Sequence, residues 1–494
     1  MARPTLRQAQ LCYVALITAS VALLPLSLLV SVTAWLLFRD KSRPSSEKKP
    51  TALVNGGRMQ KSIYVARALA ANGYRVILVE ERGWGEFCAA RFSSSVSRFY
   101  LVKGGGGEPY IDSLVNVMLK EKVDLFVPCS GAGTTLEDAK AAKIIREHSK
   151  GKVNTLIQNP DLAETLHEKD RFINLVLALG LDAPSSHFIQ SPEEAIQLMQ
   201  KPEQPPFILK AANILDDVGR GDLTNFPLLD EQHRPDWSKT REKLEKGLYI
   251  PMTPKTPYIA QEFVGGKGAS EWCTHATVID GKITAFACCP SNDLLMTYHD
   301  ATNSEIGRRT LKWTKSFLAR LSEHPEWKGT RLTGLFSMDF IYQPSSDRLV
   351  VIECNPRVHT AIGLLTGSQQ ADQALGKALD GTKTITTLMP LLGTPSMSWW
   401  GHDVIARIIP SYLPLPRSLL ESIHPLWSKN RSGAAHLLFD LESVGRDGAW
   451  DRRDPFVFFA LYHIQMPFLL LRQLFLRRKA YSRINISTAR VFEC

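Results

Sequence analysis

The stretch VVIECNPRVHTAI, residues 350–362, runs an apolar strand directly into a carboxylate, an amide and a guanidinium. Glu353 and Asn355 are two residues apart, so a continuing strand puts them on one face. Just upstream, SMDFIY carries Asp339 inside another apolar run, and the polar turn between the two runs predicts an antiparallel hairpin. Two carboxylates and an amide oxygen suit a hard cation, Mg²⁺ or Mn²⁺, whose remaining ligands are water and phosphate oxygens. Asp339, Glu353 and Asn355 are therefore the candidate metal ligands. Arg357 has the fork geometry to grip a transferring phosphoryl group or a substrate carboxylate. An Arg–carboxylate surface network is the other account of the same residues. His359 follows as an acid, a base or a residue that orients substrate, and Cys354, alternating to the opposite face, belongs to the core.

Cations that could meet a phosphate lie earlier in the chain. Lys169 starts a helix that finishes at Gly180, and PPFILKAA puts Lys210 at the end of an apolar strand. An ammonium there needs an anion or open water. The following NILDDVGRGD, within a 211–224 loop, has the flexibility and charge of a lid over polyphosphate. TPYIAQEFV then ends a strand at Glu262 and passes into Gly265 and Gly266, a connector whose backbone can approach a flat base. THATVIDGKITAF predicts a second hairpin, turning at Asp280-Gly281.

These residues need a scaffold. TALVNGG, SIYVARALAANG and YRVILVE read as strand, helix and strand, a βαβ unit that lacks the GxGxxG spacing of a dinucleotide site. VDLFVPCSGAG followed by TLEDAKAAKIIREH repeats the pattern. Ligands of open α/β sheets lie outside the carboxyl ends of the strands. Ser130, Gly131 and Thr134 are accordingly candidates for a substrate pocket, with plain turn and cap roles as the alternative. Thr274 and His275 on the later hairpin are candidates for the same pocket.

The 494 residues and 44% hydrophobic content allow two or three domains with cores. A net charge of +10 favours anionic partners without choosing one. The basic residues form no stripe interleaved with aromatics, so nucleic acid is not expected. Eight irregularly spaced cysteines without a CxxC pair exclude a disulfide scaffold and a four-thiolate zinc site, and predict reduced core thiols. Residues 11–38 carry no charge and exceed the ~20 apolar residues of a membrane span and the ~7–15 of a signal-peptide core. Arg39, Lys41, Arg43, Lys48 and Lys49 follow the run, against Arg3 and Arg7 before it, so the positive-inside rule predicts a single-pass anchor with the catalytic part facing the cytoplasm. The run at 456–471 is short for a second span and is expected to be a buried helix or a membrane-surface contact.

Taken together and in order, Lys169, Lys210, Gln261-Glu262-Phe263-Val264, Asp339 and Glu353-x-Asn355-x-Arg357 resemble the ATP-grasp family. The resemblance implies an α/β and α+β ATP-grasp fold with a Rossmann-like pre-ATP-grasp domain in front of it. It divides the chain into a membrane anchor and linker (1–50), the pre-ATP-grasp domain (51–155), the ATP-grasp domain (156–385) and an extension packed on the core (386–494). It implies that Lys169 and Lys210 hold the phosphates of ATP and that Gln261, Glu262, Phe263, Val264 and Glu271 border the nucleotide, Glu262 receiving the adenine amino group. Asp339, Glu353 and Asn355 would hold magnesium, with Lys210, Arg357 and His359 at the reacting phosphoryl. VSRFY, EWCTHATV, IECNPRVHTAI, DPFVFFALYHIQMPFLLL and SRINIS further resemble the mycosporine-glycine synthase-like group, from about residue 51 to the carboxyl terminus. That group joins 4-deoxygadusol, a cyclohexenone, to glycine. KGASEWCTH carries extra residues where the group has a compact Lys-Glu-Phe-Cys-Thr-His, which puts the acceptor in question more than the nucleotide.

The resemblance implies a carbon–nitrogen ligase that forms ADP and phosphate, with an acid or cyclohexenone acceptor, an amine or amino acid, and other biosynthetic enzymes as partners. A ligase for another secondary-metabolite carboxylate, a kinase-like phosphotransferase and a membrane-tethered non-catalytic nucleotide-binding protein are the alternatives. Oligomeric state is left open.

Overall fold

A computed structural model describes residues 6–39, 49–83, 85–212, 224–248, 250–291, 297–381, 386–401, 445–477, 481–487 and 489–493. The chain opens with one long helix, α1 (Leu6–Phe38). It then alternates strand and helix through β1 (Thr51–Val54), α2 (Gln60–Ala71), β2 (Arg75–Glu81), β3 (Val96–Val102), α3 (Gly107–Glu121), β4 (Leu125–Val127), α4 (Thr135–His148) and β5 (Asn154–Thr155). The strands form a parallel sheet in the order β3-β2-β1-β4-β5. Alternation explains its two covered faces: Ala52, Val54, Val76 and Leu78 enter one core, while Leu53, Ile77 and Val79 enter the other with α3 and α4. Gly56 turns the chain after β1 at φ 71°, where an added Cβ would lie 2.6 Å from the Cys129 carbonyl oxygen. Only glycine fits there.

Two short helices, α5 (Pro160–His167) and α6 (Lys169–Ala178), lead into a small antiparallel sheet. It comprises β6 (Ser186–Ile189), β7 (Phe207–Ala211), β8 (Asn225–Phe226) and β9 (Tyr258–Glu262), in the order β6-β9-β7-β8, packed on α7 (Pro192–Met199) and α8 (Trp237–Lys246). A second antiparallel sheet follows: β10 (Ser270–Ile279), β11 (Lys282–Pro290), β12 (Gly334–Gln343) and β13 (Arg348–Asn355), in the order β11-β10-β12-β13. Helix α9 (Glu305–Glu323) connects β11 to β12, and α10 (Gln369–Asp380) follows β13. Ala276, Val278, Phe336, Met338 and Phe340 fill the core between this sheet and α6 and α9. Both predicted hairpins are present. The β10–β11 turn has Asp280 at φ 49° and Gly281 at φ 76°, the two positive values that match the twist of the strands it joins.

The apolar segment 11–38 is helical as expected, but it is not a helix standing away from the rest of the chain. Ser20 Oγ donates to the Tyr462 carbonyl (2.7 Å), Trp35 meets Phe456 with ring centroids 6.3 Å apart, and Arg452 lies over the Phe38 ring. Rising numbers in α1 thus meet falling numbers in the C-terminal apolar helix, Phe456–Phe475, so the two pack antiparallel. Tyr13, Leu16 and Ile17 join the core, whereas Val21, Leu26, Leu29 and Leu37 remain exposed. The C-terminal helix is itself fixed to the first sheet's layer. The Gln465 amide bridges the Ala89 N–H and the Arg58 carbonyl (2.6 and 2.8 Å). Close by, Asp454 accepts from Arg67 Nε (2.9 Å), Ser93 Oγ (2.6 Å) and the Ser94 N–H (2.8 Å). Among the described residues, six cysteines are free and buried, as expected of reduced core thiols. The 42–50 linker lies outside the described residues up to 48, and the 386–494 extension lies outside them from 402 to 444.

Replacing Asp454 by alanine leaves the buried Arg67 guanidinium without its carboxylate. It is expected to destabilise the protein by about 3 kcal/mol, read as a lower urea midpoint with an unchanged transition slope.

Candidate functional site

The β12–β13 register sets the centre of the site. Asp339 and Glu353 are direct cross-strand partners, and a register shift immediately after Asp339 turns the strand. The Asn355 amide donates to Glu353 Oε1 (3.2 Å) and Asp339 Oδ2 (3.4 Å), so the three predicted metal ligands meet. Lys169, at the first residue of α6, reaches Glu353 Oε2 at 3.3 Å. Burial first, and the Glu353 charge second, push the Asp339 carboxyl well above the ordinary carboxylate range. Asp339 Oδ1 is buried with no hydrogen-bond partner. Among the described residues no cluster of three or more His, Cys, Asp or Glu side chains could hold a metal ion. The set here is two carboxylates and an amide whose Oδ1 and Nδ2 exchange by a half-turn. With one lone carboxylate oxygen facing inward, it fits a hard divalent cation.

Arg357 follows the cluster, its carbonyl accepting from Ser337 Oγ (2.9 Å). The imidazole of His359 is engaged in holding backbone: its Nδ1 accepts the Ala361 N–H (3.2 Å), capping the turn Thr360–Leu365. The backbone N–H of His359 donates to His275 Nδ1 (3.4 Å). Burial lowers both histidines to about 3, so both are neutral across the physiological range. That geometry makes His359 a neutral group that holds the backbone beside it. Thr274 is spent inside the sheet, its hydroxyl donating to the Met338 carbonyl (2.9 Å) and accepting the Met338 N–H (3.1 Å).

Lys210 sits on β7 and donates to Gln261 Oε1 on β9 (2.6 Å). The hinge that follows is bound tightly. Glu262 pairs with Arg348 Nη1 (2.5 Å) and accepts the Ser185 N–H (2.9 Å) through its other oxygen. Its carboxylate thus joins β13 to the chain before β6. Phe263 N–H donates to the Pro206 carbonyl (2.7 Å), Val264 is buried, and a Cβ at Gly265 would strike the Phe263 ring at 2.3 Å. Glu271 is exposed at the start of β10, where its carbonyl accepts the Ser291 N–H (2.8 Å). The 211–224 loop lies outside the described residues from 213 to 223.

The remaining candidates gather at the carboxyl ends of β1 and β4. Ser130 Oγ donates to Asp138, which also accepts from Asn55 Nδ2 (2.7 Å) and the Tyr110 hydroxyl (2.8 Å). Burial raises Asp138 to about 7. Thr134 N–H closes back on the Gly131 carbonyl (3.3 Å), a turn bond. Lys61 joins this group to the segment after β13: its buried ammonium donates to the carbonyls of Ser130 (3.3 Å) and Val358 (2.7 Å), the latter adjacent to Arg357. Sequence reasoning missed Lys61 and Arg348. A lysine in the first turn of a helix otherwise built of buried residues was the available signal for Lys61. For Arg348, whose guanidinium also grips both oxygens of Asp182 (2.7 and 2.8 Å), nothing local distinguished it from a surface strand residue.

No family model matches the chain. In sequence it is 21% identical over 314 residues to the carbamoyl phosphate synthase large chain, C-terminal section, of Methanopyrus kandleri, covering 62% of this chain and 51% of that one. It is 23% identical over 356 residues to the carbamoyl phosphate synthase large chain of Campylobacter jejuni, covering 70% and 30%. The chain thus spans about half, or less, of the length of these relatives. Among solved structures, N5-carboxyaminoimidazole synthetase from Staphylococcus aureus aligns over 68% of this chain and 79% of its own, with 15% identity and a TM-score of 0.48. A biotin carboxylase from Campylobacter jejuni aligns over 69% and 72%, with 14% identity and a TM-score of 0.46. The chain is thus similar in sequence to carbamoyl phosphate synthase large chains, and it carries two antiparallel sheets with a carboxylate–amide cluster on the second.

Proposed function

We propose that the chain is an ATP-dependent ligase that activates a carboxylate, or the vinylogous acid oxygen of an enol, and couples it to an amine or amino acid with release of ADP and phosphate. The observation that carries this is the Asp339–Glu353–Asn355 cluster, joined by Lys169 and followed two residues later by Arg357. ATP, when bound with magnesium or manganese, supplies the phosphoryl group that turns the acceptor oxygen into a leaving group. Asp339, Glu353 and Asn355 would hold the metal, and Lys169 and Lys210 would neutralise phosphate charge. Arg357 faces the transferring group, and Lys61 holds the 357–359 segment against the end of β4, where the Asn55–Ser130–Asp138 group shapes an acceptor pocket. His359 orients through a neutral imidazole. No serine, cysteine or histidine nucleophile enters.

The finer form of the proposal is 4-deoxygadusol as acceptor and glycine as amine, supported by the sequence resemblance of 271–278 and 352–362. The domain limits at about 50, 155 and 385 are proposed with it. Helix α1 is proposed to hold the enzyme on a membrane, since its outward face is apolar over more than the length of a span.

The test incubates the protein, ATP and magnesium with 4-deoxygadusol and glycine and follows ADP and the mass of the coupled product. AMP in place of ADP would overturn the phosphoryl-transfer reading. ADP release that requires an amine, but with another acid only, would remove the mycosporine form and keep the ligase.

Glu353→Ala is expected to lower amine-dependent ADP release by about 100-fold or more while leaving the circular dichroism spectrum unchanged. Lys210→Ala should raise the ATP concentration needed for half-maximal rate and slow single-turnover transfer by about 10-fold or more. Asp339→Asn separates stability from activity. Burial and Glu353 raise the Asp339 pKa above its unfolded value, so its contribution to stability is present at low pH and lost as pH rises through the folded pKa. The amide removes that cost, so the variant should unfold a few degrees (roughly 2–4 °C) higher than wild type at neutral pH. The gap should close as pH falls through the carboxylate range, and turnover should be lost.

A further inference from the structure

The loop after β2 and the C-terminal helix enclose a crevice lined by Arg58, Phe87, Gln465, Phe468, Leu469 and Arg472. Its apolar wall is the Phe87–Phe468 pair, with ring centroids 4.3 Å apart. The Gln465 amide is spent on the Ala89 N–H and the Arg58 carbonyl, fastening helix to loop. The charged members are two guanidiniums. Arg58 lies 3.8 Å from the buried Glu80, and Arg472 Nη1 donates to the Gly83 carbonyl (2.7 Å), which fixes its direction. Glu80 is occupied by the N–H groups of Arg58 and Glu81.

Phe87, which lines the crevice, is 42% exposed, and Leu471 and Phe475 on the same C-terminal helix are 40% and 65% exposed. Leu471 and Phe475 lie on the helix that pairs with α1, whose own exposed leucines and valines continue the same kind of surface. Isolated exposed apolar residues are ordinary, whereas exposed apolar residues beside a 26-residue apolar helix make a surface suited to lipid. Two cations set against aromatic walls on such a side suit a ligand with an anionic head and a hydrocarbon tail. A free phosphate would make no use of the phenylalanines, and a neutral lipid would make little use of the guanidiniums.

We propose that this crevice is a binding site for one anionic membrane lipid, its phosphate between Arg58 and Arg472 and its chains along Phe87, Phe468 and Phe475. The proposal rests on the membrane placement of α1 and not on the identity of the ligase substrates. A bound lipid at this position would tie the C-terminal helix, and through Gln465 the loop after β1, to the bilayer surface.

The full-length protein, purified in a neutral detergent, is incubated with phosphatidylglycerol and weighed by native mass spectrometry. One phosphatidylglycerol is expected to stay bound, and phosphatidylcholine is expected to be lost. Arg472→Ala and Phe87→Ser should each lower occupancy about 10-fold, the equivalent of one charge-assisted or apolar contact. Arg472→Lys should recover part of it. Both side chains are partly exposed, so the variants should unfold at the wild-type temperature, and the Phe87 variant carries the test if the Arg472 variant does not fold. Equal retention of phosphatidylcholine, unchanged occupancy in the variants, or displacement by inorganic phosphate would each overturn the lipid site. Flotation of the same protein with neutral vesicles tests α1 separately: failure to float removes the anchor, while flotation without a retained lipid removes only this site.

Discussion

Two carboxylates facing each other across one strand pair set the terms for the rest of the molecule. Asp339 and Glu353 are register partners on β12 and β13, and the register shift beside Asp339 brings Asn355 onto both. Like charges this close raise each other's cost, and burial adds to it. A neighbouring element answers that cost with a cation, Lys169 at the first residue of α6. The core side of the same sheet is filled by Phe336, Met338 and Phe340, so the hairpin cannot shift its register without turning those side chains out of the core. Rigidity on one face secures the crowded charges on the other.

The second constraint is Arg348, at the start of β13. One guanidinium holds both oxygens of Asp182 and one oxygen of Glu262, so the chain before the small sheet, the hinge after β9 and the carboxylate hairpin share a single fixed point. The Gln343 amide adds a bond from β12 to the Gly265 carbonyl (2.7 Å). The hinge is therefore tied to the same hairpin that carries the carboxylates. Lys210 is set by its own strand and by Gln261.

The parallel sheet reaches the site through Lys61. Its ammonium is shared between the end of β4 and the segment after Asn355, so α2, although built almost wholly of buried residues, carries one buried charge between the two. The same layer also carries the C-terminal helix through Gln465 and Asp454, and that helix carries α1. The apolar helices and the segment that follows the carboxylate cluster thus share one core on the α2 face of the parallel sheet.

Much of this was legible locally. Strand periodicity, glycine turns and the Asp-Gly hairpin located β1, β2, β4, β7, β9 and the β10–β11 and β12–β13 pairs, because alternation and positive-φ turns are properties of a few neighbouring residues. The Glu-x-Asn spacing placed two ligands on one face for the same reason. Tertiary packing alone decided what each polar side chain has to spend. Glu262 ended a strand as expected, yet Arg348 from 86 residues away takes its carboxylate. Thr274 is closed off by Met338, 64 residues away, and His359 is held neutral by burial beside His275. The 11–38 run determined a long apolar helix, while its docking against residues 452–463 depended on contacts more than 400 residues distant in the chain. Sequence fixes the face a side chain takes within its own strand or helix. Which partner meets that face is set by loop closures and sheet order, which no local pattern records.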